Sequence, residues 1–227
     1  MSLPLLCFDI DGTLVRTRGA GREALDEAFL DLHGWPEATE GVHVAGSTDD
    51  VICQDVARKF GGDWTSSRGA SLRSAYLAAL GRKLSDPCRT EVLPGLSRVL
   101  AAVEGLAHVC LLTGNWREGA RVKLSAAGLW QRFDWGVFSE DAPDRDGLVP
   151  VARQRALGRG LGVGEVVVVG DTVADIQCAR AGGARVVAVE TGFSTPTELA
   201  SRAPDLQVAN LQDSAPAFLA FVRTLAG

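Results

Sequence analysis

The stretch that most constrains the fold is a short apolar run that ends in acid. Leu3 to Phe8 is apolar, broken only by Pro4, and is followed at once by Asp9-Ile10-Asp11-Gly12-Thr13-Leu14. A run of this length without polar alternation reads as a strand buried on both faces, the form taken by the inner strands of a parallel sheet. Two carboxylates at the tip of such a strand are costly, because burial penalises each charge and their mutual repulsion adds to it. Such a pair persists where a cation or a positive partner offsets it. The sequence therefore calls for something positive at the end of its first strand.

Beyond that tip the pattern changes from strand to helix. The spacing predicts a helix over Gly21 to His33, with Leu25, Ala28, Phe29 and Leu32 on one face and a stop at Gly34 and Pro36. A second helix is predicted after Thr48 as cap, carrying Asp49 and Asp50 in its first turn and Ile52, Val56 and Phe60 on one face. A third runs from about Ser67 to Leu80 along Leu72, Ala75, Tyr76, Ala79 and Leu80. No strand interrupts this block.

Strands and helices then alternate. Strands are expected at Leu106 to Leu112, Phe133 to Phe138, Glu165 to Val169, Arg185 to Val189 and Leu206 to Val208. Helices are expected at Arg117 to Ala127, Val151 to Gly158, Val173 to Ala181 and Ala215 to Leu225. Repeated strand-helix units imply an α/β fold, a doubly wound parallel sheet covered on both faces. Residues 1–15 and 89–227 form that core, and residues 16–88 form a small helical cap inserted after the first strand, with Pro87 and Pro94-Gly95 marking the return.

Composition narrows the function classes. A net charge of −5 gives no reason to expect nucleic acid as a partner. No run approaches the roughly 20 apolar residues of a membrane helix, so no membrane partner is expected either. The five cysteines, Cys7, Cys53, Cys88, Cys110 and Cys178, are odd in number and form no Cys-x-x-Cys pair, which favours free thiols over a zinc site or a disulfide framework. A reducing cytoplasm is the expected compartment. Of the 23 basic residues, all but Lys59, Lys83 and Lys123 are arginine.

Asp9-Ile10-Asp11-Gly12-Thr13-Leu14 resembles the first signature of the haloacid dehalogenase superfamily, in the Asp-x-Asp form of its phosphatases. Leu111-Leu112-Thr113-Gly114-Asn115 resembles its second signature, and Val169-Gly170-Asp171-Thr172-Val173-Ala174-Asp175 its fourth. The third is usually a lysine, sometimes an arginine, shortly before the strand that ends in Gly-Asp. No lysine follows Lys123, so Arg145 is the choice, with Arg153 and Arg155 as alternatives on the next helix; Arg145 paired on the surface with Asp144 or Asp146 is the bland one. Ordinary helix capping, with Asp171 or Thr172 as the cap and Asp175 favourable in the first turn, is likewise the plain alternative to metal roles for Asp171 and Asp175.

The resemblance implies a phosphatase that holds Mg2+ through Asp9, Asp171, Asp175 and Asp11, the last by its backbone carbonyl. Asp9 is the expected nucleophile, Asp11 the general acid and base, and Thr113 and Arg145 the stabilisers of phosphoryl charge, with Gly114 and Asn115 beside the substrate. The expected partner is a small phosphorylated metabolite. Arg16, Arg18 and Arg22 lie where the chain enters the cap, and the cap start resembles that of phosphoglycolate phosphatases, so Arg22 is the candidate reader of an acidic group. Solvated arginines are the alternative. A sugar-phosphate phosphatase, a phosphomutase and a non-catalytic phosphate or Mg2+ binder are the competing functions.

Overall fold

The computed structural model describes residues 2–64 and 66–225. The first strand forms where its apolar run predicts, β1 at Leu3–Phe8, with Leu5 to Phe8 fully buried. Two-residue strands β2 (Val15–Arg16) and β3 (Glu91–Val92) pair antiparallel where the chain leaves and re-enters the sheet domain. Between them lie α1 (Ala20–His33), α2 (Asp49–Lys59) and α3 (Ser66–Leu84). The rest alternates as α4 (Leu96–Ala102), β4 (His108–Leu112), α5 (Arg117–Ala126), β5 (Gly136–Val137), α6 (Leu148–Gly158), β6 (Val163–Gly170), α7 (Val173–Ala181), β7 (Arg185–Val189), α8 (Pro196–Ser201), β8 (Leu206–Val208) and α9 (Ala215–Leu225).

The six main strands form one parallel sheet in the order β5-β4-β1-β6-β7-β8. The pairing register shifts between Leu3 and Leu5, around Pro4, which has no N–H to give to a ladder. Because side chains alternate along a strand, the sheet feeds two cores. Leu6, Phe8, Leu111, Val167 and Val169 pack with α4, α5 and α9 through Val99, Leu124 and Phe218. Leu5, Cys7, Cys110, Val166 and Val168 pack on the other face with α6 and α7 through Val149, Ala152, Ile176 and Ala179.

The helical insertion has a core of its own, built from Leu25, Phe29, Ile52, Val56, Leu72, Tyr76 and Leu80, into which Trp116 of the sheet domain also packs. From β1 the chain goes to β4 on one side and later to β6 on the other, so strand order reverses at β1. Ligands of open α/β sheets bind beyond the carboxyl ends of the strands at such a reversal. Asp9, Thr113 and Asp171 stand at or just past the ends of β1, β4 and β6.

Candidate active site

The strand tips gather the acids that sequence spacing predicted to meet. Asp9, Asp171 and Asp175 are all buried and offer ligand oxygens within 4.8 Å of one another. Gly12 and Gly192 make room for Asp171: a Cβ at either position would stand 2.5 Å and 1.7 Å from its Oδ2. Asp171 accepts from the Thr13 hydroxyl at 2.9 Å and from the Phe193 N–H at 2.9 Å.

Arg145 is the cation inside this cluster. It does not pair with Asp144 or Asp146 at the surface; its Nη2 lies 3.3 Å from Asp9 Oδ1 and bonds to Asp175 Oδ1. Its Nε is buried without an acceptor. The alternatives stand elsewhere, Arg153 on the Gly183 carbonyl and Arg155 on Asp141 and the Gly136 carbonyl. Asp175 has two tasks, since its Oδ2 accepts from the Thr172 N–H at 2.9 Å and hydroxyl at 2.6 Å as a capping box for α7, while Oδ1 holds Arg145.

Three acids against one guanidinium leave a formal excess of two negative charges in a buried site. Burial pushes the Asp9 carboxyl up to about 6, against the pull of Arg145, with Asp175 and Asp11 adding to the rise and the Thr113 hydroxyl lowering it. Burial, then Asp175 and Asp9, push Asp171 well above the ordinary carboxylate range. Burial works against the charge on Arg145, but Asp175 and Asp9 outweigh it and hold the guanidinium protonated. An all-oxygen donor set with unbalanced negative charge fits a hard divalent cation such as Mg2+.

Asp11 is placed differently. Its Oδ2 accepts from Lys123 Nζ at 2.6 Å and from Asn115 Nδ2 at 2.9 Å, and Thr17 lies 3.5 Å from Oδ1. Asn115 also accepts from Lys123 at 2.6 Å and donates to the Thr113 hydroxyl oxygen at 2.8 Å. Lys123 is thus a site residue that the sequence reading missed. The available signal was its position on α5, where Gly119, Ala120, Lys123 and Leu124 form the buried face and a charge is out of place.

The insertion closes over this arrangement. Arg145 Nη1 donates to the Gly46 carbonyl at 3.1 Å, the Asp49 N–H to the Gly114 carbonyl at 2.7 Å, and the Trp116 N–H to Asp49 Oδ2 at 2.7 Å. Ser139 accepts from the Asp50 N–H at 3.1 Å and donates to Asp50 Oδ2 at 2.9 Å. Gly114 permits the approach, because a Cβ there would lie 2.3 Å from the Ser47 carbonyl oxygen. A cleft of about 360 Å3 remains between the two parts, lined by Asp9, Asp11, Thr113 and Arg145 on one side and by Leu25, Ile52 and Tyr76 on the other.

The arginines at the mouth are tied down. Arg16 donates to the Thr191 carbonyl at 2.7 Å, and Arg18 lies 3.5 Å from Glu91. Arg22 donates from Nε to the Thr39 hydroxyl at 2.9 Å and from Nη2 to the Thr39 carbonyl at 3.3 Å.

Known proteins share both sequence and fold with this chain. A probable phosphatase, IndB, of Dickeya dadantii is 27% identical over 213 residues, 90% of this chain and 89% of that one. A phosphoglycolate phosphatase of Cereibacter sphaeroides is 29% identical over 194 residues, covering 84% and 87%. Among solved structures, CbbY of Rhodobacter sphaeroides in complex with phosphate superposes with a TM-score of 0.74 at 18% identity, covering 93% of this chain and 96% of that one. A hydrolase from Pseudomonas syringae gives 0.73 at 21%, covering 96% and 98%. The profile of haloacid dehalogenase-like hydrolases matches residues 6–180, from the first strand through α7 and every strand-tip segment described above; the chain belongs to that family.

Proposed function

We propose that this hydrolase is a Mg2+-dependent phosphatase of small phosphomonoesters that works through an aspartyl-phosphate, with phosphoglycolate as the first candidate substrate. The observation that carries the reading is the division of labour among the acids: Asp9, Asp171 and Asp175 cluster together, with Arg145 on Asp9 and Asp175, while Asp11 faces Lys123 and Asn115. In this reading residues 16–88 act as the cap. The relatives named phosphoglycolate phosphatase support the substrate choice.

Asp9 and Asp171 would hold the Mg2+ with the Asp11 backbone carbonyl. Both oxygens of Asp175 are already engaged, so it would support the metal site through the charge it adds. The bound cation supplies charge neutralisation at the phosphoryl oxygens. Asp9 Oδ attacks phosphorus as the ester P–O bond breaks, and Asp11 gives its proton to the departing oxygen. Asp11 then takes a proton from water as that water attacks the aspartyl-phosphate, which releases inorganic phosphate and restores Asp9. Arg145 and Thr113 oppose the charge that spreads over the phosphoryl oxygens.

Gly114 and Asn115 border the phosphoryl position. Arg22, committed to Thr39 at the mouth, contributes to the field that draws an anion inward. The test is release of inorganic phosphate from phosphoglycolate and other small esters, with and without Mg2+, in the wild type and in Asp9→Asn. Metal-dependent release that falls by more than about 10³-fold in the variant is expected. Release that survives Asp9→Asn, or no release from any ester, would overturn the proposal.

A further inference from the structure

Lys123 is the cation that the reaction outlined above leaves without a task. Its side chain is only 6% exposed, at the bottom of a cleft where burying an ammonium is expensive unless it is well partnered. An ammonium has three N–H donors, and the described hydrogen bonds use two, to Asp11 Oδ2 and Asn115 Oδ1. The lysine lines the cleft, so the remaining donor has open space within reach.

The insertion approaches the lysine closely at Gly21, where no side chain intervenes. A Cβ on Gly21 would stand 3.3 Å from Lys123 Nζ and 3.5 Å from Cε. Gly21 lies in the first turn of α1, whose N-cap, Gly19, makes no side-chain capping bond, and Gly19, Gly21 and Arg22 all line the cleft. The positive end of that helix dipole therefore adds to the lysine's charge. Of the acids at this end, Asp11 already bonds the lysine, and Asp49 spends one oxygen on the Trp116 N–H. The arginines at the mouth are held by Thr191, Glu91 and Thr39.

We propose that Lys123 reads an acidic group on the leaving half of the substrate, one or two carbons from the ester oxygen. The inference rests on the phosphatase reading, because it needs the departing oxygen at Asp11. Lys123 Nζ lies 2.6 Å from Asp11, so an ester oxygen that takes its proton from Asp11 brings a carboxylate on the adjacent carbon to the lysine. A longer leaving group carries its acid past that point. The substrate class is then a short phosphorylated hydroxy acid, selected from inside the cleft.

The experiment compares 2-phosphoglycolate with ethyl phosphate, of similar length but without the carboxylate, on the wild type, Lys123→Met and Gly21→Ala. Lys123→Met should raise KM for phosphoglycolate by roughly tenfold or more and change KM for ethyl phosphate by less than about threefold. The kcat should fall on both esters, because Asp11 loses a partner. Gly21→Ala, which narrows the space at Nζ and leaves the lysine in place, should give the same KM split with a smaller size. Ratios between two substrates in one preparation do not depend on the folded fraction. Equal KM changes on both esters, or a wild type that releases phosphate without preferring the carboxylated one, would overturn the role of Lys123 alone. No release from either ester would overturn the phosphatase reading as well.

Discussion

The two ends of the active cleft solve the same electrostatic problem in opposite ways. At one end, the buried Asp9, Asp171 and Asp175 cluster with a single guanidinium on Asp9 and Asp175, so the acids outnumber the cation. At the other, Asp11 is bonded by both an ammonium and an amide and keeps a quarter of its side chain exposed. A site whose acids were all balanced would have no pull on a divalent cation, and one with none balanced would have no separate proton carrier. Under the proposed function, that difference would place metal and nucleophile at the first end and proton transfer at the second.

That contrast sets the size of the expected effects. Arg145→Ala removes the one cation among buried carboxylates and should cost about 3 kcal/mol or more in urea denaturation, whereas Lys123→Met, next to the partly exposed Asp11, should cost about 1 kcal/mol. Equal costs at the two positions would erase the distinction.

A more gradual, pH-dependent effect concerns the contact that joins the insertion to the sheet domain. Burial pushes the Asp49 carboxyl up to about 7, offset in part by Lys123 and the Trp116 N–H, with Asp11 and Asp50 adding to the rise. An acid whose pKa is higher folded than unfolded keeps its proton longer in the native state. Its contribution is complete below the unfolded value of 3.8 and is lost as pH rises towards 7. The wild type should therefore lose stability relative to Asp49→Asn across that window, by about 1 kcal/mol per pH unit. Parallel stability profiles of the two proteins would contradict this; asparagine retains an acceptor for Trp116, so the hydrogen bond itself is not at issue.

The sheet and the acid cluster at its strand tips were legible because their signals are local. Each carries its polar residues directly after an apolar strand, as in Leu111 to Asn115 and Val169 to Asp175. The observed elements depart from the expected ones where packing or capping decides. β5 covers only Gly136–Val137 of the expected Phe133 to Phe138, since it is an edge strand paired to β4 at two positions. α6 starts at Leu148, ahead of the expected Val151, because proline is tolerated in a first helical turn and Pro150 does not stop it. α8 went unread although Thr195, Pro196 and Glu198 spell a capping box with a leading proline.

The Asp11 end of the cleft was the harder part to read. Lys123 lies eight residues past Asn115 and meets it only through the turn of α5, and Gly46, Asp49 and Asp50 reach the site only because the insertion folds back over it. Long-range docking of this kind leaves no periodic trace. The one clue was a charge on an otherwise apolar helix face.

The most direct test of the account is equilibrium binding of Mg2+ to the wild type, Asp171→Asn and Lys123→Met, measured without substrate. One Mg2+ per chain is expected in the wild type, with loss of binding in Asp171→Asn and retained binding in Lys123→Met. A wild type that binds no Mg2+, or binding that survives Asp171→Asn and is lost in Lys123→Met, would contradict it.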